Sequence, residues 1–540
     1  MNKIFAQLIE KRHLDDGFLH PKYENLADPY KLPDCKKAIT RIKKALKSQE
    51  NILIYGDYDV DGVTASTVME EALILSGAKP ENIRIMLPDR FADGYGMSPK
   101  IINEVKRHHI TLVITVDCGS SNHEIIDELN HLKIDTIVTD HHETKETLPE
   151  AVAIVNPKRR DYQDQDSLRD LAGVGVAFKI AEALKKEGLI KNDQEKWLLD
   201  LVLLGTICDN MLLTHENRIL SFYGLKVLAK TRRPGLKALI QKAGVKNLNA
   251  DAIGFQIGPR LNAAGRLDTA ELSLNLLRSK DAITAAPLVE KLETLNKKRK
   301  NEQLLATKEI EKRGVKDDPV IIETGHWHEG ILGIVAGHLV EDYHKPAFVL
   351  TELDNNIFKG SGRSFGDFSL AKALDYTKDT IINGGGHAGA AGVKLDGKNL
   401  YQFREKINDY YRSLNLKNQA DYFGFHADLE LNDFSDLNLD LLDDLKLLEP
   451  FGPGNEEPIF RLKDVQITNL VRMGAEKNHL RLDLKDKNGK FLKLVAFYAP
   501  EKWFTVDPDY DQIEPLIKLT ENEYNGVKSL EARIIDINML

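Results

Sequence analysis

Residues 51–62 read NILIYGDYDVDG, an apolar run of strand character that leads directly into Asp57, Asp59 and Asp61. A short β-branched run bounded by Gly and Asp is typical of a buried strand. Three carboxylates this close together repel one another unless cations neutralise them. In extended backbone the three side chains would point the same way and could converge on one site. Taken alone, the pattern fits a solvated acidic turn about as well as a metal site, because Asp is also a common turn residue.

The same kind of apolar run recurs until about residue 157, as NIRIMLP, TLVITVD, DTIVTDHH and AVAIVNP. Segments with apolar residues at helical spacing separate these runs, among them VTASTVMEEALILSG and HEIIDELNHLK. Strands that alternate with helices predict an α/β fold with a parallel, doubly wound sheet. Residues 1–50 precede this sheet and predict a helical lead-in.

Two more of these strands end in side chains that can bind metal. TLVITVD ends at Asp117, and DTIVTDHH ends at Asp140, His141 and His142. A lone Asp or His is more often a cap, but three neighbouring strand ends of this kind indicate a metal centre at the carboxyl edge of the sheet. Asp209 follows the apolar run LVLLGTIC, where a buried carboxylate would be costly without a nearby cation.

The ligand chemistry of this edge favours hard divalent cations. A carboxylate-rich set with a minority of imidazole favours Mn²⁺ or Mg²⁺ over Zn²⁺, which prefers Cys and His. The carboxylates outnumber the ligands that one cation needs, so we expect two ions bridged by an Asp.

The rest of the chain divides into further segments. Helical patterns continue to residue 280, so residues 51–280 are predicted to form one domain. Residues 281–314 predict one long connector helix that ends at Gly314, and residues 315–416 predict a second, smaller α/β domain. In residues 417–540 an acidic stretch, interpreted as a solvated linker face, precedes short strands and a DKNG hairpin turn, a pattern that predicts a small β-barrel.

Composition limits the class of protein. The chain has 540 residues and a net charge of −9, with no low-complexity tract. Its three cysteines form no CxxC pair, which argues against a disulfide framework or a structural zinc site and fits a reducing cytoplasm. No apolar run approaches the roughly 20 residues that cross a bilayer, so we expect a cytoplasmic protein without a membrane partner.

The net charge conceals two regions of opposite sign. Residues 51–150 hold 8 basic and 18 acidic residues, whereas residues 201–300 hold 17 basic and 8 acidic residues. A polyanion would therefore meet a basic track that leads to a carboxylate site neutralised by bound cations.

Four motifs, DYDVDG, VDCG, TDHH and GTICD, occur in that order and resemble those of the DHH phosphoesterase superfamily. Three further segments resemble its RecJ branch: LPDRFADGYGMS at residues 87–98, FQIGPRLNAAGRLD at residues 255–268, and the pair GSGRS and GGGHAGAAG within residues 360–392. The resemblance covers essentially the whole chain. It implies a DHH domain, a DHHA1 domain and a C-terminal OB-like barrel.

The resemblance implies a role for each residue of the carboxylate edge. Asp117 would bridge the two ions, and His142 would lie near the scissile phosphate as an orienting or proton-donating group. Relatives often carry a His where this chain has Tyr55, a role that Asp57 could take over. Asp61, Asp117 and His142 are the expected catalytic residues. The expected metal ligands are Asp57, Asp59, Asp61, Asp117, His141 and Asp209.

Anion-binding residues are expected in the glycine-rich segments. Residues 360–364 and 384–387 allow close backbone approach and offer free N–H groups, which suits phosphate capture. By resemblance, Ser361 and Arg363 would hold a 5′ phosphate, with His387 near the cleaved nucleotide. Arg90, Arg260 and Arg266 are further candidates, each with a salt bridge or cap as the alternative.

In the C-terminal barrel, single strands would bind to a basic groove with exposed aromatic rings. The candidates are Arg472, Lys477, Arg481, Lys485, Lys493, Phe491, Phe497 and Tyr498.

The carboxylate edge predicts a two-ion site, and the resemblance implies the activity: a two-metal exonuclease that degrades single-stranded DNA from 5′ to 3′, prefers a 5′ phosphate and releases mononucleotides in recombination and repair. A helicase and a single-strand-binding protein are the expected partners. The alternatives are a phosphodiesterase of short oligonucleotides or cyclic dinucleotides, and a catalytically inactive DNA-binding protein of the replication fork. A pyrophosphatase is a further alternative, but that activity would not require the RecJ-type motifs.

Overall fold

The computed structural model describes residues 1–94, 96–162, 167–416, 422–508, 510–524 and 526–540. Tyr95 of the segment 87–98, and residues 417–421 at the start of the predicted C-terminal segment with its acidic stretch, lie outside the described residues. The chain packs into a large unit, Asp28–Asp209 with Gly224–Gly424, and a small unit, Met1–Ala27 with Asn210–Tyr223 and Phe425–Leu540. The segment boundaries given above stay predictions.

The helices and strands are numbered in chain order. The helices are α1 (Lys3–Lys11), α2 (Asp16–Leu19), α3 (Cys35–Ser48), α4 (Val60–Leu75), α5 (Ile101–Arg107), α6 (His123–His131), α7 (Gly173–Lys186), α8 (Leu199–Cys208), α9 (His215–Leu228), α10 (Pro234–Ala243), α11 (Ala250–Ala252), α12 (Gly258–Leu267), α13 (Glu271–Leu277), α14 (Ala282–Arg313), α15 (Leu332–Tyr343), α16 (Leu370–Tyr376), α17 (Leu400–Ser413) and α18 (Leu439–Leu445). The strands are β1 (Ile52–Tyr55), β2 (Ile83–Met86), β3 (Leu112–Val116), β4 (Asp135–Thr139), β5 (Ala153–Val155), β6 (Ile321–Gly325), β7 (Ala347–Leu353), β8 (Ile357–Arg363), β9 (Asn383–Gly386), β10 (Ala390–Asp396), β11 (Leu429–Leu431), β12 (Phe460–Leu462), β13 (Gln466–Met473), β14 (His479–Lys485), β15 (Phe491–Ala496), β16 (Ile513–Tyr524) and β17 (Val527–Met539).

The first sheet is parallel, with strand order β2-β1-β3-β4-β5. The residues of β1 and β3 are buried throughout, as expected for strands covered by helices on both faces. This confirms the predicted parallel sheet. Because all five strands run the same way, their carboxyl ends meet at one edge, where the candidate ligands follow β1, β3 and β4.

One long helix, α14, leads from the helical part of this unit to the second sheet. The Asp281 side chain accepts a hydrogen bond from Thr284 N and caps the start of the helix, and Gly314 follows its last turn with φ +78°. The predicted connector helix is thus present.

A second, mixed sheet has the order β6-β7-β8-β10-β9. In this sheet β6 and β7 pair in parallel, while β7, β8, β10 and β9 form antiparallel pairs. With α15, α16 and α17 it forms the predicted smaller α/β domain. The two glycine-rich segments lie on β8 and on β9, which both pair with β10.

The small unit is built on a mixed sheet of order β11-β12-β16-β17-β15-β14-β13. The predicted hairpin is confirmed, because β14 and β15 pair antiparallel around Asp486, whose Oδ1 accepts from the N–H groups of Asn488 and Lys490. The core includes Phe5 and Leu8 of α1, which was predicted only as part of the lead-in. Arg218 is buried and donates to the carbonyls of Leu447, Leu448 and Glu449, tying residues 210–223 into this unit.

Among the described residues, none of the helices is both long and apolar enough to cross a membrane.

Candidate active site

The first three carboxylates converge through a strand-to-helix turn. Asp57 follows β1 and is buried, and Asp59 caps α4 by accepting a hydrogen bond from Gly62 N at 3.0 Å. Asp61 lies in the first turn of α4, where its two oxygens accept from the N–H groups of Gly173 and Val174 at 2.6 and 2.8 Å. The expectation of an extended backbone from Asp57 to Asp61 was therefore wrong. The reason is that the capping Asp starts a helix at Val60.

Asp117 follows β3 in a strained conformation. Its φ is +60°, a region that residues other than Gly seldom occupy and that is found at functional sites when the surrounding structure enforces it. The first residue of α7, Gly173, lies against this side chain, and a Cβ there would come within 2.5 Å of Asp117 Cβ. Only Gly therefore allows α7 to begin so close to Asp117.

The residues after β4 form a hydrogen-bonded turn. Asp140 Oδ1 accepts from the backbone N–H of His141 and His142 and from His142 Nδ1 at 2.8 Å, while Asp140 Oδ2 accepts from Ser120 N. Asn156, which follows β5, donates to the carbonyl of His142 and to Ser120 Oγ. The turn thus fixes the direction of the His142 ring and the backbone position of His141.

His141 faces three carboxylates from three different elements. Its Nε2 lies 3.1 Å from Asp117 Oδ1, 3.5 Å from Asp209 Oδ2 and 3.8 Å from Asp61 Oδ2. Asp209 reaches this point because it directly follows α8. The residues form three overlapping groups whose ligand atoms lie within 4.8 Å of one another: Asp117 with His141 and His142, Asp61 with His141 and Asp209, and Asp57 with Asp59 and Asp117.

The electrostatics of this cluster favour added positive charge. Burial and then the charge of Asp59 raise the pKa of Asp57 to about 8 and that of Asp61 to about 7. Burial and then the charge of Asp61 raise the pKa of Asp209 to about 8 and that of Asp117 well above its usual value. Neutralising cations would relieve this repulsion.

The two histidines differ in protonation. Burial and then the charge of His142 lower the pKa of His141 to about 3, so His141 is a neutral imidazole able to bind a cation. Although burial opposes it, the hydrogen bond to Asp140 raises the pKa of His142 to about 9. The same hydrogen bond, again against the effect of burial, holds the pKa of Asp140 well below its usual range.

The donor set fits divalent cations. Asp117 Oδ1 and His141 Nε2 are buried, and neither makes a hydrogen bond within the described part of the chain. Buried polar atoms without partners are rare and need an explanation such as an ion. Carboxylates with one neutral imidazole suit Mn²⁺ or Mg²⁺.

Three of the predicted substrate residues form an arginine cluster. Arg90, Arg266 and Arg363 have no carboxylate partner within the described ranges. Burial and then the charges of Arg90 and Arg363 lower the pKa of Arg266 to about 9, and burial followed by Arg90 lowers the pKa of Arg363. The alternative of a salt bridge from Arg90 is not realised, because Asp93 pairs with Lys100 and Asp89 accepts from backbone N–H groups.

A cleft of about 780 Å³ lies between the first sheet's loops and the second sheet. Its lining includes Tyr58, Arg90, Ser361 and the glycine-rich β9. The second α/β domain approaches closely at Gly330, where a Cβ would lie 1.9 Å from the carbonyl oxygen of Arg266.

The remaining predicted substrate residues are placed differently. The His387 ring lies 6.3 Å from the His142 ring and is nearly parallel to it, which brings His387 to the metal edge. Arg260 instead forms a largely buried ion pair with Glu293 of α14 at 2.7 Å and donates to the carbonyl of Gln256. The structure therefore does not bring Arg260 into the arginine cluster.

Two of the candidate residues of the small unit form ion pairs with carboxylates. Arg472 pairs with Glu501 and its guanidinium packs 3.9 Å from the Phe504 ring, while Arg481 pairs with Asp483 at 2.8 Å. The three candidate rings, Phe491, Phe497 and Tyr498, are exposed to solvent. Lys485 lies near Phe491, and Lys477 and Lys493 are exposed.

Two residues of the site received no specific role from the sequence. Asp140 was visible in the TDHH motif but had no assigned role, and Asn156 had none either. The signal for Asn156 was its position directly after a fifth strand, at the same edge as the other polar residues.

The fold and the site together define a DHH phosphoesterase. The first sheet is parallel and carries carboxylates and histidines at one edge. A long helix joins it to a glycine-rich sheet that has the arginine cluster beside it. The family model for the DHH family N-terminal domain matches residues 51–206, that for the DHHA1 domain matches residues 317–413, and that for the RecJ OB domain matches residues 427–536. The single-stranded-DNA-specific exonuclease RecJ of Bacillus subtilis is 33% identical over 99% of this chain and 67% of its own length. The exonuclease of the same name from Escherichia coli K12 is 32% identical over 94% of this chain and 90% of its own. The chain belongs to the RecJ family.

Solved structures agree with this assignment. The crystal structure of RecJ in complex with Mn²⁺ from Thermus thermophilus matches 100% of this chain and 76% of that chain, with a TM-score of 0.85 and 27% identity. The Mg²⁺ complex of RecJ from the same organism matches with a TM-score of 0.79 and 25% identity, over 99% of this chain and 74% of that chain.

Proposed function

We propose that the protein is a metal-dependent exonuclease that degrades single-stranded DNA from the 5′ end and releases 5′-mononucleotides during recombination and repair in the cytoplasm. The RecJ relatives named above support the substrate. A helicase and a single-strand-binding protein that expose and hold the strand stay predicted partners.

The observation that carries the proposal is the pairing of two chemically opposite sites in one unit. A cluster of buried carboxylates and His141 lies at the edge of the first sheet, and the arginine cluster lies near the second sheet. The His142 ring at the first site lies 6.3 Å from the ring of His387, which follows the glycine-rich strand β9 of the second sheet. A phosphodiester at the first site and a terminal phosphate at the second would fix the strand end relative to the bond that is cut.

Two divalent cations, Mn²⁺ or Mg²⁺, would be held by Asp57, Asp59, Asp61, Asp117, His141 and Asp209. When bound, such ions activate water at neutral pH and neutralise the charge of the phosphodiester. Asp117 and His141 each belong to two of the three ligand groups, and of the two only Asp117 has a carboxylate with two oxygens, so it would be the residue shared by both ions. The backbone N–H groups of α7 hold Asp61 in place, so that its geometry is set before any ion binds.

His142 would act on the scissile phosphate or the leaving oxygen. A carboxylate only accepts hydrogen bonds, so the contact with Asp140 places a proton on His142 Nδ1 and makes Nε2 the ring atom that would meet the substrate. Asp140 therefore orients His142 and supports its positive charge as negative charge develops on the phosphate.

The 5′ phosphate would be held by Arg90, Arg266, Arg363 and Ser361. An arginine without a carboxylate partner retains its hydrogen-bond donors for a phosphate, and the fork geometry of the guanidinium suits bidentate contact. Arg260 is left out of this pocket because Glu293 already neutralises it.

The test uses oligonucleotides labelled at either end, single-stranded or double-stranded, with a 5′ phosphate or a 5′ hydroxyl, in the presence of Mn²⁺. We expect stepwise release of mononucleotides from the 5′ end of single strands, faster when the 5′ phosphate is present. Asp117→Asn should abolish cleavage while the protein stays folded. Cleavage from the 3′ end, cleavage of dinucleotides alone, or strand binding without cleavage would each reject the proposal.

A further inference from the structure

A second large cleft lies in the large unit outside the candidate active site. Its volume is about 760 Å³, within the range of small-molecule sites. The C-terminal half of α4, the start of α8, the turn before α10 and the end of α13 form its walls.

The cleft lies at a distance from the metal edge, because the helices α4 and α8 each run from one site to the other. Asp61 lies at the start of α4, and Glu71 lines the cleft ten residues further along the same helix, about 15 Å at helical rise. Asp200 lines the cleft at the start of α8, and Asp209 follows the end of that helix, roughly 13 Å away.

The carboxylates in the cleft are already neutralised. Arg233 donates to Asp200 at 3.1 Å and to Glu71 at 2.9 Å. Arg278 Nε donates to Glu70 at 2.7 Å. Within the described residues, these pairs leave no acidic side chain of the lining without a basic partner. A cationic ligand would therefore find no free carboxylate.

Two basic side chains of the lining remain unneutralised. Arg232 and Lys280 are exposed, and neither has a carboxylate partner in the parts of the chain that the structure describes. The Arg232 guanidinium packs on the Trp197 ring with its central carbon 3.5 Å from the ring centroid, which holds its N–H edge in place for an anion. Leu198 and Leu277 supply an apolar wall.

We propose that this cleft binds a nucleoside phosphate, with the phosphate on Arg232 and Lys280 and the base against the Trp197–Arg232 pair and the apolar wall. A flat aromatic ring gains from contact with indole and guanidinium faces. The phosphate would accept charge-assisted hydrogen bonds from Arg232 and Lys280, which no carboxylate of the cleft neutralises.

The indole itself is the reporter for the test. Trp197 is one of three tryptophans, so Trp327→Phe with Trp503→Phe leaves it as the only one. We expect AMP, added in EDTA to prevent catalysis, to change the Trp197 fluorescence saturably, with adenosine and inorganic phosphate each binding more weakly. Arg232→Glu with Lys280→Glu should weaken AMP binding by about tenfold or more, and the milder Arg232→Gln should do so in part.

Two controls separate this cleft from the active site and from general charge effects. Lys237→Glu reverses an exposed charge on α10 outside the cleft and should leave AMP binding unchanged, as should Asp117→Asn. Unsaturable fluorescence, undiminished binding by the charge-reversed double variant, or loss of binding in Asp117→Asn would overturn the proposal.

Discussion

The buried carboxylates around Asp117 destabilise the metal-free protein at neutral pH, because their negative charges repel one another. The pKa values of Asp57 and Asp209 are raised to about 8 and that of Asp61 to about 7, first by burial. A raised carboxyl pKa contributes stability below the unfolded value near 4, and this contribution is lost as pH rises through the folded value. In EDTA we expect the free energy of unfolding to fall by roughly 1–3 kcal/mol between about pH 5 and about pH 8.

Thermal unfolding across this pH range, with EDTA or with Mn²⁺, measures the effect. Mn²⁺ should remove most of the pH dependence, because cations replace protons as the neutralising charge. Asp117→Asn in EDTA should be more stable than the wild type at the alkaline end. A wild-type profile in EDTA as flat as that with Mn²⁺ would contradict the electrostatic account.

Tyr55 connects the first strand to the loop that carries Arg90. Its buried hydroxyl donates to the Gly96 carbonyl at 3.2 Å and accepts from Ser98 N at 2.9 Å. Tyr55→Phe would leave both backbone groups without this partner, at a cost of about 1–3 kcal/mol of stability. We also expect a smaller preference for 5′-phosphorylated strands, since the position of Arg90 depends on this loop.

The measurements for Tyr55→Phe are a chemical unfolding curve and cleavage rates on 5′-phosphate and 5′-hydroxyl strands. Tyr30→Phe is the matched control, because its hydroxyl bonds to Glu187 at an exposed site. If both variants kept the wild-type substrate preference, Tyr55 would not position Arg90.

At the scale of elements, α12 and α14 are joined by an ion pair that spacing alone could not predict. Arg260 and Glu293 are 33 residues apart, and both side chains are only about a tenth exposed. Arg260→Gln should lower stability by about 1–3 kcal/mol, because it leaves the Glu293 charge buried without its partner. It should leave the preference for a 5′ phosphate unchanged, whereas Arg363→Gln should reduce that preference. An equal loss of preference in both variants would mean that Arg260 also contacts the 5′ phosphate.

The site residues that the structure brings together as the sequence indicated are those whose position follows from strand order. Asp117 directly follows β3 and the two histidines come just after β4, so the parallel sheet alone brings them to one edge. Asp61, by contrast, lies at the site because a helix begins just before it. Arg260 lies outside the arginine cluster because it forms an ion pair with Glu293. The packing of α1 into the small unit depends on tertiary contacts between distant residues. Contacts of this kind cannot be predicted from the spacing of apolar residues along the sequence.

At the scale of the whole molecule, the net charge of −9 divides into an acidic segment, residues 51–150, which carries most of the candidate metal ligands, and a basic segment, residues 201–300. Without cations the carboxylate edge repels a polyanion, so bound divalent ions should strengthen DNA binding as well as permit cleavage. We expect a nuclease-resistant phosphorothioate strand to bind more tightly with Mn²⁺ than with EDTA at equal ionic strength. Fluorescence anisotropy measures this gain, and Asp117→Asn with Asp209→Asn should lose most of it. A gain of the same size in the double variant would mean that the cations act on the DNA and not at the carboxylate edge, since screening of the backbone is common to both proteins.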